Sequence, residues 1–352
     1  MLHLEIFFIV AGACAAVIGL LHRSSMANLL LDRVDKPNAM HNLPVPRIGG
    51  IVIVLVVTAS LFVYFHARPI DAMLRGLLLT GFGLAVVSLI DDRRNLSVSL
   101  RLATHVLAAI FVAVMPAWQG MSMVNLLIAT ILVLITVWMT NLYNFMDGAN
   151  GLAGFMGVIG FGSFAMATQF AQSSANTSAL AFICTAISGA CLGFLFFNFP
   201  KARVFMGDAG SIPLGFLAAA LGLVGSLENI WPWWFPALVF SPFIVDASVT
   251  LAKRLIRRER VWETHRQHVY HRLILQSGWS HAQTASAYAL LMLLCGGHGL
   301  LALSAIHDTL AVQTGKNLPV YATPLFIMGV WVLTYALLLA CLEWRFSMRI
   351  KK

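Results

Sequence analysis

Four short clusters hold most of the polar chemistry in this chain. Thr140 to Gly154, TNLYNFMDGANGLAG, sets Asn141, Asn144 and Asp147 among three glycines, between two apolar runs. SLIDDRRNLS places Asp91 and Asp92 side by side before Arg93 and Arg94. FLFFNFPKARVFMGDAGS surrounds Lys201 and Arg203 with Asn198, Phe205, Asp208 and Ser211. HRQHVYHR repeats histidine at a spacing of three (His265, His268, His271), with Arg266 and Arg272 interleaved. Carboxylates with amides are oxygen donors of the kind that suit Mg²⁺, which keeps room for substrate phosphates. Arginines with histidines suit a diphosphate. Together they describe phosphoryl transfer.

Each cluster also has a plainer reading. Asn, Asp and Gly make tight turns anywhere. Paired aspartates beside arginines can be a solvated helix end, although a helix C-terminus is a poor place for negative charge. Arg47, after the proline-rich stretch that includes His41, is either an ordinary membrane anchor or a contact for a phosphate or lipid headgroup. Asp246, inside apolar sequence, is either functional or a helix–helix hydrogen bond. If the histidine segment is helical, its three imidazoles fall roughly on one face. Zinc finds no cysteine partner there and would sit next to arginine.

The elements that position these clusters are membrane spans. The 352 residues are 59% hydrophobic and 11% charged, with a mean hydropathy of +0.84, whereas soluble domains carry about 25% charged residues. The expected fold is all-α: one polytopic integral-membrane domain over residues 1–352. Eleven apolar runs approach the roughly 20 residues a crossing needs. They fall near 3–21, 49–65, 72–90, 102–116, 123–140, 152–170, 179–198, 212–227, 233–252, 283–305 and 320–342. Glu5 and the lack of a basic leader favour a retained first span over a signal peptide. The cysteines lie in apolar runs with no pairing pattern, as packing residues.

Loops 22–48, 91–101, 141–151, 199–211 and 253–282, with the C-terminus, hold 20 of the 23 lysines and arginines. The positive-inside rule makes that side cytoplasmic and puts the N-terminus outside. The net charge of +9 therefore reports topology and not nucleic-acid binding. All four clusters fall on the cytoplasmic side.

The set DD, NxxNxxDGxxGLAG, NFxxAxVFMGDxGS and RxHxxH, after a first loop ending PxPRxGG, resembles the polyprenyl-phosphate N-acetylhexosamine-1-phosphate transferases, cousins of phospho-N-acetylmuramoyl-pentapeptide transferase. The resemblance runs from about residue 30 to 275. It implies an eleven-helix enzyme of a bacterial inner membrane with a cytoplasmic active site. It also implies Mg²⁺ (Mn²⁺ substituting), a UDP-activated N-acetyl sugar and undecaprenyl phosphate as substrates, and release of UMP. By motif, Asp208 would hold the metal with Asn144 as partner, and Asp91 and Asp92 would lie at the lipid phosphate. Asp147, Asn150, Asn198 and Phe205 match positions near the nucleotide, while Arg266, His268 and His271 match the diphosphate contacts. Arg47 and Asn141 complete the candidate substrate-binding set.

Three departures qualify the match: Asn150 where a second Asp is common, Tyr270 inside the histidine motif, and PVPRIGG in the first loop. Together they point to the O-antigen-type branch, which starts lipid-linked surface glycans. A flippase for an anionic lipid-linked sugar would instead put charges near the midplane. A CDP-alcohol phosphatidyltransferase would put its aspartates on one helix. No residue code names the sugar, and a homodimer is among the expectations.

The charge asymmetry yields a direct test. A reporter fused after Lys352 or inserted near Gly278 is expected in the cytoplasm, and one near Gln172 or Gln313 outside. An external signal from the 253–282 loop would separate its histidines from any cytoplasmic nucleotide and sink the site assignment.

Overall fold

A computed structural model describes residues 2–24, 31–32, 44–66, 68, 70–94, 96–117, 122–260, 265–311 and 323–350. Most of the first loop, with His41, lies outside them, as does Gln313. The chain is helical almost throughout. The long crossings are α1 (Leu2–Arg23), α3 (Ala72–Arg94), α5 (Met123–Phe145), α6 (Leu152–Ala167), α7 (Ala175–Asn198), α8 (Asp208–Leu227), α12 (His281–Ala311) and α13 (Pro324–Ile350). Two further apolar helices are α2 (Gly49–Phe65) and α4 (Val98–Ala117). A broken pair, α9 (Trp234–Val239) and α10 (Ser241–Ile256), lies where the sequence placed the ninth span. The short α11 (Val269–Leu275) lies in the histidine loop, and β1 (Leu31–Asp32) pairs antiparallel with β2 (Val45–Pro46).

Helix α7 is the core. It is buried along most of its length and packs against α1, α2 and α6, while α8 packs against α3 and α5. The α1–α7 contact is close because Gly189 and Gly193 present bare backbone to Phe7 and Ala11, the small-residue contact usual between helices in lipid. At the other extreme α13 is almost wholly unburied, as a lipid-facing helix is.

Three boundaries differ from the sequence expectation. Helices α3 and α5 run on past residues 90 and 140 to Arg94 and Phe145. Asn141 and Asn144 therefore stand on a helix end and not in a loop, while Asp91 and Asp92 lie at the helix end where the sequence placed them. The ninth span is two helices. Pro242 has no N–H to offer the carbonyl of Leu238, four residues back, so the ladder stops there. The Ser241 hydroxyl donates to that carbonyl instead, at 2.6 Å, and lies 2.7 Å from the Tyr335 hydroxyl of α13.

Where α2 and α8 cross, Gly50 meets Gly210 backbone to backbone. Gly49 N–H donates to Phe205 O at 3.0 Å, Gly50 N–H to Met206 O at 2.9 Å, and Phe205 N–H to Pro46 O at 2.9 Å. A methyl group on Gly50 would strike backbone atoms of Gly210 and Met206, which cannot rotate away. Gly50→Ala is expected to cost about 1–3 kcal/mol, the usual penalty of overpacking. Gly83, whose extra methyl would meet open space, is the control. Thermal unfolding in detergent checks this; an unchanged midpoint for Gly50→Ala would show the crossing to be pliable.

Candidate functional site

The corner between α3 and α4 divides the paired aspartates. Asp91 is buried; one carboxylate oxygen accepts the Leu96 N–H at 2.7 Å and the other meets Arg101 Nη1 at 3.2 Å. Asp92, about 100° further round the helix, faces the other way and meets Arg47 Nη1 at 3.4 Å. Arg101 also reaches Asp208, with Nη1 to Oδ2 at 3.9 Å. The two arginines thus link the DD pair, the first loop and the FMGD segment. The aspartates are not equivalent: Asp91 shapes the corner, and Asp92 faces the gap beside Gly207 and Arg47.

Asp208 is the first residue of α8, where unpaired N–H groups and the helix dipole favour negative charge. Before it, Gly207 takes φ 72°, a left-handed conformation that suits glycine. One turn into α8, Ser211 Oγ donates to Asn144 Oδ1 at 2.8 Å, which holds that amide oxygen at the same helix end as Asp208. The loop between α5 and α6 is tied from behind. Asn198 Oδ1 accepts the Gly151 N–H at 2.6 Å, and Asn198 Nδ2 donates to Val204 O at 2.9 Å. Buried and doubly bonded, Asn198 connects two motifs. Asn150 N–H donates to His281 Nδ1 at 3.3 Å, and Asn141 bonds back to Val137 O within its own helix at 2.7 Å.

The histidine segment is not one helical face. His268 is extended, φ −55° and ψ 152°, and α11 begins only after it. The imidazoles still gather, with ring centroids 4.8 Å apart for His265–His268 and 5.8 Å for His268–His271. Asp246 of α10 holds the segment in place. Its carboxylate accepts from Val269 N–H (2.8 Å), Tyr270 N–H (3.2 Å) and the Tyr288 hydroxyl (2.5 Å), and lies 3.4 Å from His268 Nδ1. The Tyr270 hydroxyl donates to Phe145 O at 2.9 Å and fills the space a side chain at Gly148 would need. Arg266 lines a separate cationic pocket with Lys253, Arg257 and Arg272.

Burial, then the charge of Asp208, push Asp147 up to about 8, against the pull of Arg47 and a backbone hydrogen bond with Gly207. Burial, then His268, push His271 down to about 3 and His265 to about 4. Those two imidazoles are therefore neutral at pH 7, and arginines carry the positive charge that the sequence assigned jointly to both. Among the described residues no three His, Cys, Asp or Glu side chains converge as a ready metal cluster. The donors at the α8 end are all oxygen, from Asp208 and Asn144, with Asp92 and Asp147 acting on Asp208 electrostatically. That set fits a hard cation held by one or two carboxylates and completed by substrate phosphates.

From the sequence, one aspartate of the pair is free to meet Arg93, Arg94 or Arg101; the structure selects Arg101 for Asp91, ten residues away across a short corner. His281 reads as a single packing histidine, and Tyr288 has no local signal.

The model of the family described as Glycosyl transferase family 4 matches residues 74–226. A probable undecaprenyl-phosphate N-acetylglucosaminyl 1-phosphate transferase of Bacillus subtilis is 28% identical over 268 residues, covering 70% of this chain and 71% of that protein. The decaprenyl-phosphate N-acetylglucosaminephosphotransferase of Mycobacterium tuberculosis H37Rv is 30% identical over 279 residues, covering 69% and 68%. A phospho-N-acetylmuramoyl-pentapeptide-transferase of Shouchella clausii is 30% identical over 271 residues, covering 67% and 76%.

The depressed histidines make stability depend on pH in a definite direction. Between pH 6.5 and about 3 the unfolded chain binds a proton at residue 271 that the folded chain does not, so stability falls as pH falls. By pH 5 this amounts to about 2 kcal/mol. His271→Gln is expected to flatten the decline in thermal midpoint between pH 7.5 and 5. Parallel curves for the two proteins would show His271 to be solvated.

Proposed function

The chain belongs to glycosyl transferase family 4, and on that premise we propose that it transfers an N-acetylhexosamine 1-phosphate from a UDP-sugar to undecaprenyl phosphate. An oxygen of the lipid phosphate forms a bond to the sugar-bearing phosphorus, and the diphosphate bridge to UMP breaks. The product is a lipid-linked sugar diphosphate, the first intermediate of a surface glycan of the O-antigen type. The reaction takes place on the cytoplasmic face of a bacterial inner membrane. One observation carries this reading: Asp92 and Asp208 are gathered with Arg47 and Arg101 at the facing ends of α3 and α8, in a chain of many membrane-crossing helices.

The acceptor phosphate, with a second pKa near 6, is mostly dianionic at pH 7. It needs little help to lose a proton; the barrier lies in bringing two anions together. Arg47 and Arg101 are placed to draw phosphates in. Asp208, with Asn144, would hold Mg²⁺, which when bound supplies further neutralisation of the phosphates. Asp92, on the open side of the corner, orients Arg47 toward the acceptor. The neutral His271, carried by α11, offers an N–H to the diphosphate without adding charge. A flippase reading draws no support from charges that cluster at one end of the helices.

Purified protein in detergent, given undecaprenyl phosphate and a panel of UDP-N-acetyl sugars, should release UMP. EDTA should abolish the release, and Mg²⁺ or Mn²⁺ should restore it. Asp208→Asn should remove activity without loss of fold. Asp92→Asn should cost at least about 10²-fold in turnover, whereas Asp91→Asn should act mainly by lowering the thermal midpoint. Turnover indifferent to metal, or no UMP from any sugar, would overturn the proposal.

A further inference from the structure

Two cavities of opposite chemistry stand apart from the carboxylate cluster. One, about 550 Å³ between α2, α3 and α8, is lined almost entirely by apolar side chains. The other, about 260 Å³, lies at the cytoplasmic ends of α10 and α13 and behind α11. Its lining carries four cations, Lys253, Arg257, Arg266 and Arg272, and Glu343 as its one carboxylate. That carboxylate is already answered twice, by Lys253 Nζ at 2.6 Å and by both Arg272 Nη atoms at 2.5 and 3.0 Å. Thr250, Gln267 and Gln276 add neutral hydrogen-bonding groups. Just outside the lining, Glu259 Oε1 lies 4.0 Å from Arg257 Nη1; the lining still holds more cations than carboxylates, which suits an anion, and arginine forks match phosphate oxygens.

Size and level narrow the choice. The volume is below the roughly 300–1,000 Å³ of sites that enclose a drug-sized ligand, so it suits a headgroup and not a nucleotide sugar. Leu255 and Ile256, in the last turn of α10, and Trp344 and Met348 of α13 are exposed beside it. In a membrane protein such side chains face lipid, which puts the cations at the boundary between hydrocarbon and water. There they can snorkel to headgroups, and anionic lipids concentrate on the cytoplasmic leaflet.

We propose that this cavity binds the phosphate of an anionic membrane lipid. Its occupant would brace α11 from behind. Val269, Arg272 and Gln276 line the cavity at helical spacing, while Tyr270 on another face reaches Phe145 and the loop at Gly148. The site is separate from the transferase reaction, and its test needs no turnover.

The full chain in detergent is titrated with short-chain phosphatidylglycerol, with phosphatidylcholine of the same chain length, and with inorganic phosphate, while the thermal midpoint is followed. Phosphatidylglycerol is expected to raise the midpoint by a few degrees and phosphatidylcholine to leave it unchanged. Arg257→Glu, at a largely exposed side chain that bonds nothing in the catalytic cluster, is expected to fold normally and lose the response. Native mass spectrometry should show retained phosphatidylglycerol on the wild type and less on the variant. If inorganic phosphate alone reproduces the shift and Arg257→Glu abolishes it, the anion site stands and its source is a free phosphate. Equal shifts with phosphatidylcholine, no shift with either anion, or an unaltered response in Arg257→Glu would each overturn the proposal.

Discussion

The site side of this molecule depends on one buried carboxylate. Asp246 lies on α10, where the Thr250 hydroxyl donates to it at 3.2 Å, yet its other four contacts are to other parts of the chain: two backbone N–H groups and an imidazole of the histidine segment, and a phenol of α12. The N-terminal N–H groups of a helix have no partner within it, and here another helix provides the acceptor. That matters because α11 has only seven residues. Isolated helices shorter than about 12–15 residues are marginal in water. Leaving a buried donor unanswered costs roughly 1–3 kcal/mol each, so the segment bearing His268 and His271 keeps its shape through this anchor and not through its own propensity.

The carboxylates and arginines at the other side form an alternating chain: Asp92 with Arg47, and Asp91 and Asp208 sharing Arg101. Coulomb attraction there acts across a partly desolvated gap, where it is stronger than in bulk water. Asp147 stands beside this chain, pushed up to about 8 by burial first and by the charge of Asp208 second, against the pull of Arg47.

Hydropathy made the crossings legible, because apolar runs of bilayer length have few other uses, and the motifs announced their own positions. Boundaries were less legible. Asn141 and Asn144 read as loop residues because amides favour turns, yet α5 carries both, with Asn144 fixed by Ser211 across the helix gap. Pro236 and Pro242 were plain in the ninth span, but the unbroken apolar run around them hid the joint that Ser241 completes. The period of three in the histidine motif suggested a helix where the chain is still extended at His268, since the cap that starts α11 comes from a residue more than twenty positions earlier. Asp246 was noticed as an intramembrane carboxylate; that it serves both as a helix-to-helix tie and as the support of the site is a tertiary fact that no local pattern contains.

The glycine crossing of α2 and α8 sets the mechanics of the whole cleft. Gly50 and Gly210 touch through their backbones, and three main-chain hydrogen bonds join Pro46 of the first loop and the first two residues of α2 to the segment before Asp208. Arg47 and Asp208 are therefore carried on two segments tied to each other through main chain. The separation of Arg47 and Asp208 is set by backbone. Across from it the seven-residue α11 is fastened at three points: its first N–H groups on Asp246, the Tyr270 hydroxyl on Phe145 O, and the fork of Arg272 on Glu343.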